Sequence, residues 1–315
     1  MFLHILSFVG ALGIFLYGMK IMSEGLEKTA GDRLRGVLSS MTSNRFAGVA
    51  TGMGVTAVIQ SSSATTVMVV SFVNAGLMTL RQAIGVIMGA NIGTTVTAWI
   101  VAFIGFKMDI AALSLPLMAV AAPLLFIGKG KWKNLGECII GFALLFMGLN
   151  LLSEAAEAME IGKHMGEWLT HIDVNAWWAI PLFLFAGMIL TMAMQSSSAS
   201  MAITLMLFDM NIPGFGLAQA AALAMGQNIG TTITALLASF AGNTLAKRAA
   251  LAHTLFNVFG VIIILCIFPL SIRATEILDK VIFGDSSNNM YLLSIFHTCF
   301  NLFNIALVSS NQIGL

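Results

Sequence analysis

Two stretches of the chain concentrate side chains that can do chemistry: Gln60-Ser61-Ser62-Ser63-Ala64-Thr65-Thr66 and Gln195-Ser196-Ser197-Ser198-Ala199-Ser200-Met201. Each is trailed by a second polar cluster, Asn91-Ile92-Gly93-Thr94-Thr95-Val96-Thr97 and Asn228-Ile229-Gly230-Thr231-Thr232-Ile233-Thr234. A serine or threonine hydroxyl donates to an oxyanion and coordinates a hard cation. A glutamine presents a carbonyl to a cation and an amide to an anion. Neither Gln-Ser stretch holds Asp, Glu, Lys or Arg near its centre, so a bound anion has no fixed cation in the motif, and a co-bound metal ion is the natural neutralising charge. That pattern favours cation-coupled anion binding over a simple anion pore, which needs Arg or Lys rings. Small and hydroxylated residues also let membrane helices pack closely, but two matched Gln-Ser-Ser-Ser motifs exceed what packing alone requires.

The elements that must position these groups lie in a membrane. Of 315 residues, 58% are hydrophobic and 9% charged, against roughly 25% charged in a soluble domain, and the mean hydropathy is +0.93. The net charge of +1 implies no strongly acidic or basic partner, and the basic residues form no stripe for nucleic acid. Cys138, Cys266 and Cys299 each sit in an apolar run and read as buried thiols rather than a disulfide or metal set. The first apolar stretch lacks a basic leader and is related to a later segment, so it reads as mature structure.

Spans are expected at 2–21, 83–106, 110–127, 135–152, 217–240, 251–270 and 290–308, with polar loops between, and two polar-interrupted segments at 47–72 and 177–208. The chain is duplicated. Phe15 to Glu27 matches Leu145 to Glu157, the Gln60 motif matches that of Gln195, and Gly89 to Thr95 matches Gly226 to Thr232, at offsets of 130, 135 and 137 residues. If each interrupted segment is a re-entrant hairpin, most basic residues (Lys28, Arg33, Arg35, Arg45, Arg81, Lys129, Lys131, Lys133, Lys247, Arg248) fall on one face. Lys107, Lys163, Arg273 and Lys280 fall on the other. The positive-inside rule prefers this arrangement. The expected fold is therefore an all-α polytopic membrane protein of two inverted repeats, about seven spans plus two re-entrant hairpins. The expected units are 1–134 with hairpin 47–72, 135–272 with hairpin 177–208, and an extra C-terminal helix in 273–315, with the N-terminus outside and the C-terminus cytoplasmic.

Other features have blander readings. His253-Thr254-Leu255-Phe256-Asn257 and His297-Thr298-Cys299-Phe300-Asn301 place His and Asn on one helix face, where linking helices is favoured over touching a ligand. Glu24 and Glu154, near span ends, read as capping or pairing groups, and the methionines with Trp177-Trp178 as packing and interfacial anchors. No nucleophile triad, metal-ligand spacing or nucleotide loop is present, so an enzyme is not expected.

With those residues in hand, the chain resembles the type II sodium-dependent phosphate cotransporter family over nearly its whole length. The resemblance rests on the duplicated Gln-Ser-Ser-Ser, the Asn-Ile-Gly-Thr-Thr after each, and His-x-x-Phe-Asn. It implies sodium-driven uptake of inorganic phosphate by a symporter in the cell membrane, working by alternating access. Phosphate would lie among Gln60, Ser61, Ser62, Ser63, Gln195, Ser196, Ser197 and Ser198. Sodium, the coupling ion and only cofactor implied, would use Gln60, Asn91, Thr94, Gln195, Ser196, Asn228, Thr231 and Thr234. Phosphate, sodium ions and the lipid bilayer are the implied partners, and a homodimer is open to the chain. Many bacterial relatives continue into a PhoU-like helical domain, whereas this chain stops just after its last expected span, as a short or a shortened form would. Coupled transport of another oxyanion, or a phosphate-binding membrane sensor without turnover, are the competing expectations.

Overall fold

The computed structural model describes residues 2–40, 45–104, 110–174 and 176–310; Lys107, counted above for topology, lies outside them. The described chain is all helical. It begins with α1 (Phe2–Ser40), the pair α2 (Arg45–Ile59) and α3 (Ser62–Asn74), then α4 (Leu80–Ile104), α5 (Ile110–Phe126) and α6 (Lys131–Ala158). After the short α7 (Ile161–Thr170) come the pair α8 (Ala179–Met194) and α9 (Ser197–Asp209), then α10 (Leu217–Ser239), α11 (Thr244–Cys266), α12 (Phe268–Phe283) and α13 (Asn289–Ser310). Among the described residues five helices are long and apolar enough to cross a membrane, namely parts of α1, α4, α6, α11 and α13. The molecule is a multi-pass membrane protein.

Three expectations about boundaries are corrected. The polar stretch after residue 21 is not a loop, because α1 continues to Ser40. Lys20, Glu24 and Lys28 stand four residues apart, with each Lys–Glu pair at 3.8 Å, a spacing that supports helix where hydropathy falls. The span expected at 251–270 is α11, starting earlier and ending at Cys266. Its start is set by Asn243, whose side chain accepts from the Ala246 N–H, and Pro269 lies in the first turn of the next helix, where a missing N–H costs nothing. The loop expected around Arg273 and Lys280 is α12, with Leu270, Ile277, Val281 and Ile282 exposed. Cys266 is exposed and Cys138 and Cys299 are half-buried, so the expectation of buried thiols is corrected.

The packing repeats itself in two halves. α1 and α6 run antiparallel: Gly18 lies against Leu145, Gly148 against Phe15, and Gly25 against Cys138. Gly18 is the equivalent of Gly148 and Phe15 of Leu145, so each half makes the same contact on the other. In the first hairpin Gly52 meets Val86 and Gly89 meets Val49; in the second, at the repeat offsets, Gly187 meets Leu223 and Gly226 meets Leu184. A Cβ at any of these four glycines would overlap a backbone carbonyl, so only glycine lets these backbones touch.

The last helices obey the same relation. α11 packs on α3, α10 and α4, while α13 packs on α9, α4 and α10. At the start of α11, Asn243 donates its backbone N–H to Asn74 Oδ1 at 2.7 Å and its side-chain amide to the Asn74 carbonyl, which fastens the end of α3. At the start of α13, Asn289 donates to the Phe208 carbonyl and to Asn211 Oδ1, each at 2.9 Å, which fastens the end of α9.

Candidate functional site

Each Gln-Ser motif is the hinge of a helical pair, and local chemistry dictates its shape. Gln60 ends α2 with φ 59° and Gln195 ends α8 with φ 53°. These are left-handed conformations that cost a side-chain-bearing residue roughly 1–2 kcal/mol and that persist where the surroundings enforce them, often at functional sites. Each glutamine folds its amide back onto its own helix, to the carbonyl of Ala57 or Met192. The next serine is extended, φ −143° at Ser61 and −147° at Ser196, and caps the following helix by accepting from Ala64 N–H or Ala199 N–H at 3.1 and 3.2 Å. The first-turn N–H groups of Ser62, Ser63, Ser197 and Ser198 precede the first helical hydrogen bond and point out of the helix ends.

The two hinges meet. Ser62 Oγ lies 3.4 Å from Ser197 Oγ. These are equivalent residues of the two halves, and a residue that touches its own equivalent sits where the halves face each other. Two helix N-termini thus converge, with their unpaired N–H groups and positive dipole ends. The hinges line a cavity of about 430 Å³ together with Leu16, Met19, Lys20, Ser23, Glu24 and Glu27 of α1. All eight residues expected to hold phosphate line it: Gln60, Ser61, Ser62, Ser63, Gln195, Ser196, Ser197 and Ser198.

The remaining expected sodium residues, Asn91, Thr94, Asn228, Thr231 and Thr234, are not on its wall. They lie on α4 and α10 behind the hinges. Thr94 and Thr231 donate to the carbonyls of Ala90 and Gln227 one turn back, and Thr234 donates to the Thr231 carbonyl. Asn91 donates to Asn257 Oδ1 at 3.1 Å, and Asn228 to Asn301 Oδ1 at 2.8 Å. The repeated His-Thr-x-Phe-Asn motif therefore ties α11 and α13 to the two Asn-Ile-Gly-Thr-Thr clusters. That is the helix-linking role its spacing favoured.

Sequence reasoning missed two contributors. Thr97 donates to Gln60 Oε1 at 2.9 Å and lies 3.3 Å from Ser198 Oγ, joining both hinges through α4. Its signal was available, since Thr97 is the first-half equivalent of Thr234. Lys20 is the other. The expectation of no fixed cation beside the hinges holds for the motifs but not for the cavity, because α1 brings Lys20 to its wall.

The halves are alike in build but not in state. Gln60 is buried, with its carbonyl occupied by Thr97, whereas Gln195 is exposed to the cavity. His297 contacts Asn228 Oδ1 at 3.2 Å, while both ring nitrogens of the equivalent His253 are buried without a hydrogen-bond partner.

The model of the family described as Na+/Pi-cotransporter matches residues 14–154 and 156–282. An uncharacterized protein of Bacillus subtilis, YqeW, is 34% identical over 281 residues, 89% of this chain and 86% of its own length. The putative inorganic phosphate export protein YjbB of Escherichia coli K12 is 31% identical over 302 residues, 95% of this chain but 52% of its own length. This chain thus spans about half of that relative. The human sodium-dependent phosphate transport protein 2B is 40% identical over 102 residues, 31% of this chain and 15% of its own. No solved structure matches. The duplicated hinges, the clusters behind them and a family match over most of the length agree, and the chain belongs to the Na+/Pi-cotransporter family.

Proposed function

We propose that the chain moves inorganic phosphate together with sodium across the cell membrane by alternating access, with phosphate held between the two hinges. The observation that carries this reading is the convergence of both Gln-Ser-Ser-Ser hinges on one cavity, with Ser62 and Ser197 in contact. Phosphate accepts from the serine hydroxyls and the free first-turn N–H groups of α3 and α9, where two dipole ends suit an anion. Sodium takes neutral oxygens, first among them the Gln195 carbonyl and Ser196 at the open hinge. Thr231 and Thr234 of α10 would join them after the small side-chain rotations that break their bonds within the helix.

The architecture proposed is a pair of inverted repeats, 1–134 and 135–272, with hairpins α2–α3 and α8–α9 entering from opposite faces. The antiparallel α1–α6 contact and the self-equivalent Ser62–Ser197 contact support an axis lying in the membrane plane. The segment 273–315 adds α13, which fastens the end of α9 as α11 fastens the end of α3. Placement of the N-terminus outside and the C-terminus inside follows from the basic residues.

In such a carrier one face closes as the other opens, and the difference between Gln60 and Gln195 fits a state open toward one face only. An inward sodium gradient drives uptake. The relative named as a putative phosphate export protein supports a second reading, in which net flux runs outward. The deciding experiment is radiolabelled phosphate flux in proteoliposomes under a sodium gradient or an equal potassium gradient, imposed in each direction. Flux that follows the sodium gradient supports coupled transport. Flux indifferent to sodium, or binding without flux, contradicts it.

A further inference from the structure

The two halves present the same hinges to the cavity, but they do not present the same wall. On α1 the cavity is lined by Lys20, Ser23, Glu24 and Glu27. At the repeat offset of 130, the α6 counterparts of Lys20, Glu24 and Glu27 are Asn150, Glu154 and Glu157. The carboxylates are kept, and the lysine is replaced by a neutral amide. The i,i+4 pairing is kept as well: Lys20 Nζ lies 3.8 Å from Glu24, and Asn150 donates to Glu154 at 2.7 Å.

These two positions belong to opposite faces. Because Gly18 contacts Leu145 and Gly148 contacts Phe15, the midpoint of the α1–α6 contact falls between residues 16 and 17 on α1. Lys20 then lies about 5 Å from that midpoint toward one face, and Asn150 about 5 Å toward the other, at 1.5 Å rise per residue. In the present state the cavity reaches Lys20 and not Asn150.

Lys20 is free to change partners. Its contact to Glu24 is long, and Glu24 also lies 3.8 Å from Lys28, which is held in turn by Glu137 at 2.8 Å. The Lys20 side chain is 69% exposed, and the wall around it carries the hinge serines, whose hydroxyls suit an oxyanion. Lys28 can keep Glu24 company when Lys20 turns to an anion. Glu27 stays on the wall without competing for the phosphate, as a charge that favours sodium.

We propose that Lys20 is a specificity-determining residue that makes phosphate recognition unequal at the two faces. An anion entering from the Lys20 face meets a fixed cation before the hinges, and one entering from the Asn150 face does not. This inference rests on the transport reading above. One charge in a water-filled mouth is worth about a threefold to tenfold change in apparent affinity.

The test is the phosphate KM measured separately from each face, in vesicles of known orientation, for the wild type, Lys20→Asn, Lys20→Arg and Asn150→Lys. The expected result is a lower wild-type KM on the Lys20 face. Lys20→Asn should raise that value about threefold to tenfold while the KM on the other face stays within about twofold, and Lys20→Arg should preserve it. Asn150→Lys should lower KM on the opposite face, and it carries the same test should Lys20→Asn fail to fold. A sodium-driven wild type whose KM values stay within about twofold in every variant overturns this inference alone. A wild type that moves no phosphate from either face overturns the transport reading and this inference with it.

Discussion

Replacing Gln195 by glycine is expected to cut sodium-driven phosphate flux by about tenfold to a hundredfold while leaving the protein folded, because a cation site that loses a protein oxygen ligand binds its ion more weakly. Glycine is the informative choice. Gln195 sits at φ 53°, where alanine is strained by roughly 1–2 kcal/mol but glycine is not. The backbone turn that aims Ser196, Ser197 and Ser198 therefore survives, and only the side chain is lost. That side chain is exposed to the cavity, and its amide is already committed to the Met192 carbonyl, so what it offers a ligand is its carbonyl oxygen. A carbonyl serves a cation. The loss should thus appear first as a weakened sodium dependence, with the phosphate KM at saturating sodium less affected. The readout is flux against sodium concentration, with thermal stability measured in parallel. An unchanged sodium curve in a folded Gln195→Gly protein removes this residue from the cation site.

Gly226→Val is expected to act on assembly. A Cβ at Gly226 would overlap the Leu184 carbonyl, and one at the equivalent Gly89 would overlap the Val49 carbonyl. Both obstacles are backbone, so no side-chain rotation relieves them, and α8 must move away from α10. Overpacking of this kind costs about 3 kcal/mol or more, enough to unseat a hairpin held against α10 by contact rather than by loops. Loss of a monodisperse protein in detergent, or a fall of several degrees in thermal midpoint, is the expected result; a fully stable Gly226→Val protein would show that the close approach is not needed. Gly54, which has open space around its Cβ position, is the control, and Gly54→Val should be tolerated.

How much of this was legible in the sequence depends on what each feature needs for its expression. The hinges were legible because their chemistry is local: a serine that caps a helix in an apolar run is written within four residues. The duplication revealed that they come as a pair, though not that Ser62 and Ser197 touch. The extension of α1 and the existence of α12 were missed because hydropathy marks where lipid is, not where a helix stops; Glu24 and Lys28 leave the apolar window without leaving the helix. Lys20 lies inside the first apolar stretch, and only the packing of α1 on α6 determines which face of that helix looks into the cavity. The pairing of Asn91 with Asn257 and Asn228 with Asn301 joins residues 166 and 73 positions apart. Repetition identified the motifs, but nothing local states which repeat meets which.

The most direct measurement of the central claim, that phosphate and sodium occupy the space between the hinges, is the alkylation rate of a cysteine at Ala64. Ala64 lines the cavity beside Ser61, Ser62 and Ser63 and supplies none of the proposed ligand side chains. In a protein with Cys138, Cys266 and Cys299 replaced, Ala64→Cys should react readily with a membrane-impermeant maleimide, and phosphate with sodium should protect it. Sodium alone, or phosphate with potassium, should protect much less. Labelling that is indifferent to both ions, in a protein that still carries phosphate, would place the substrate elsewhere and contradict the account.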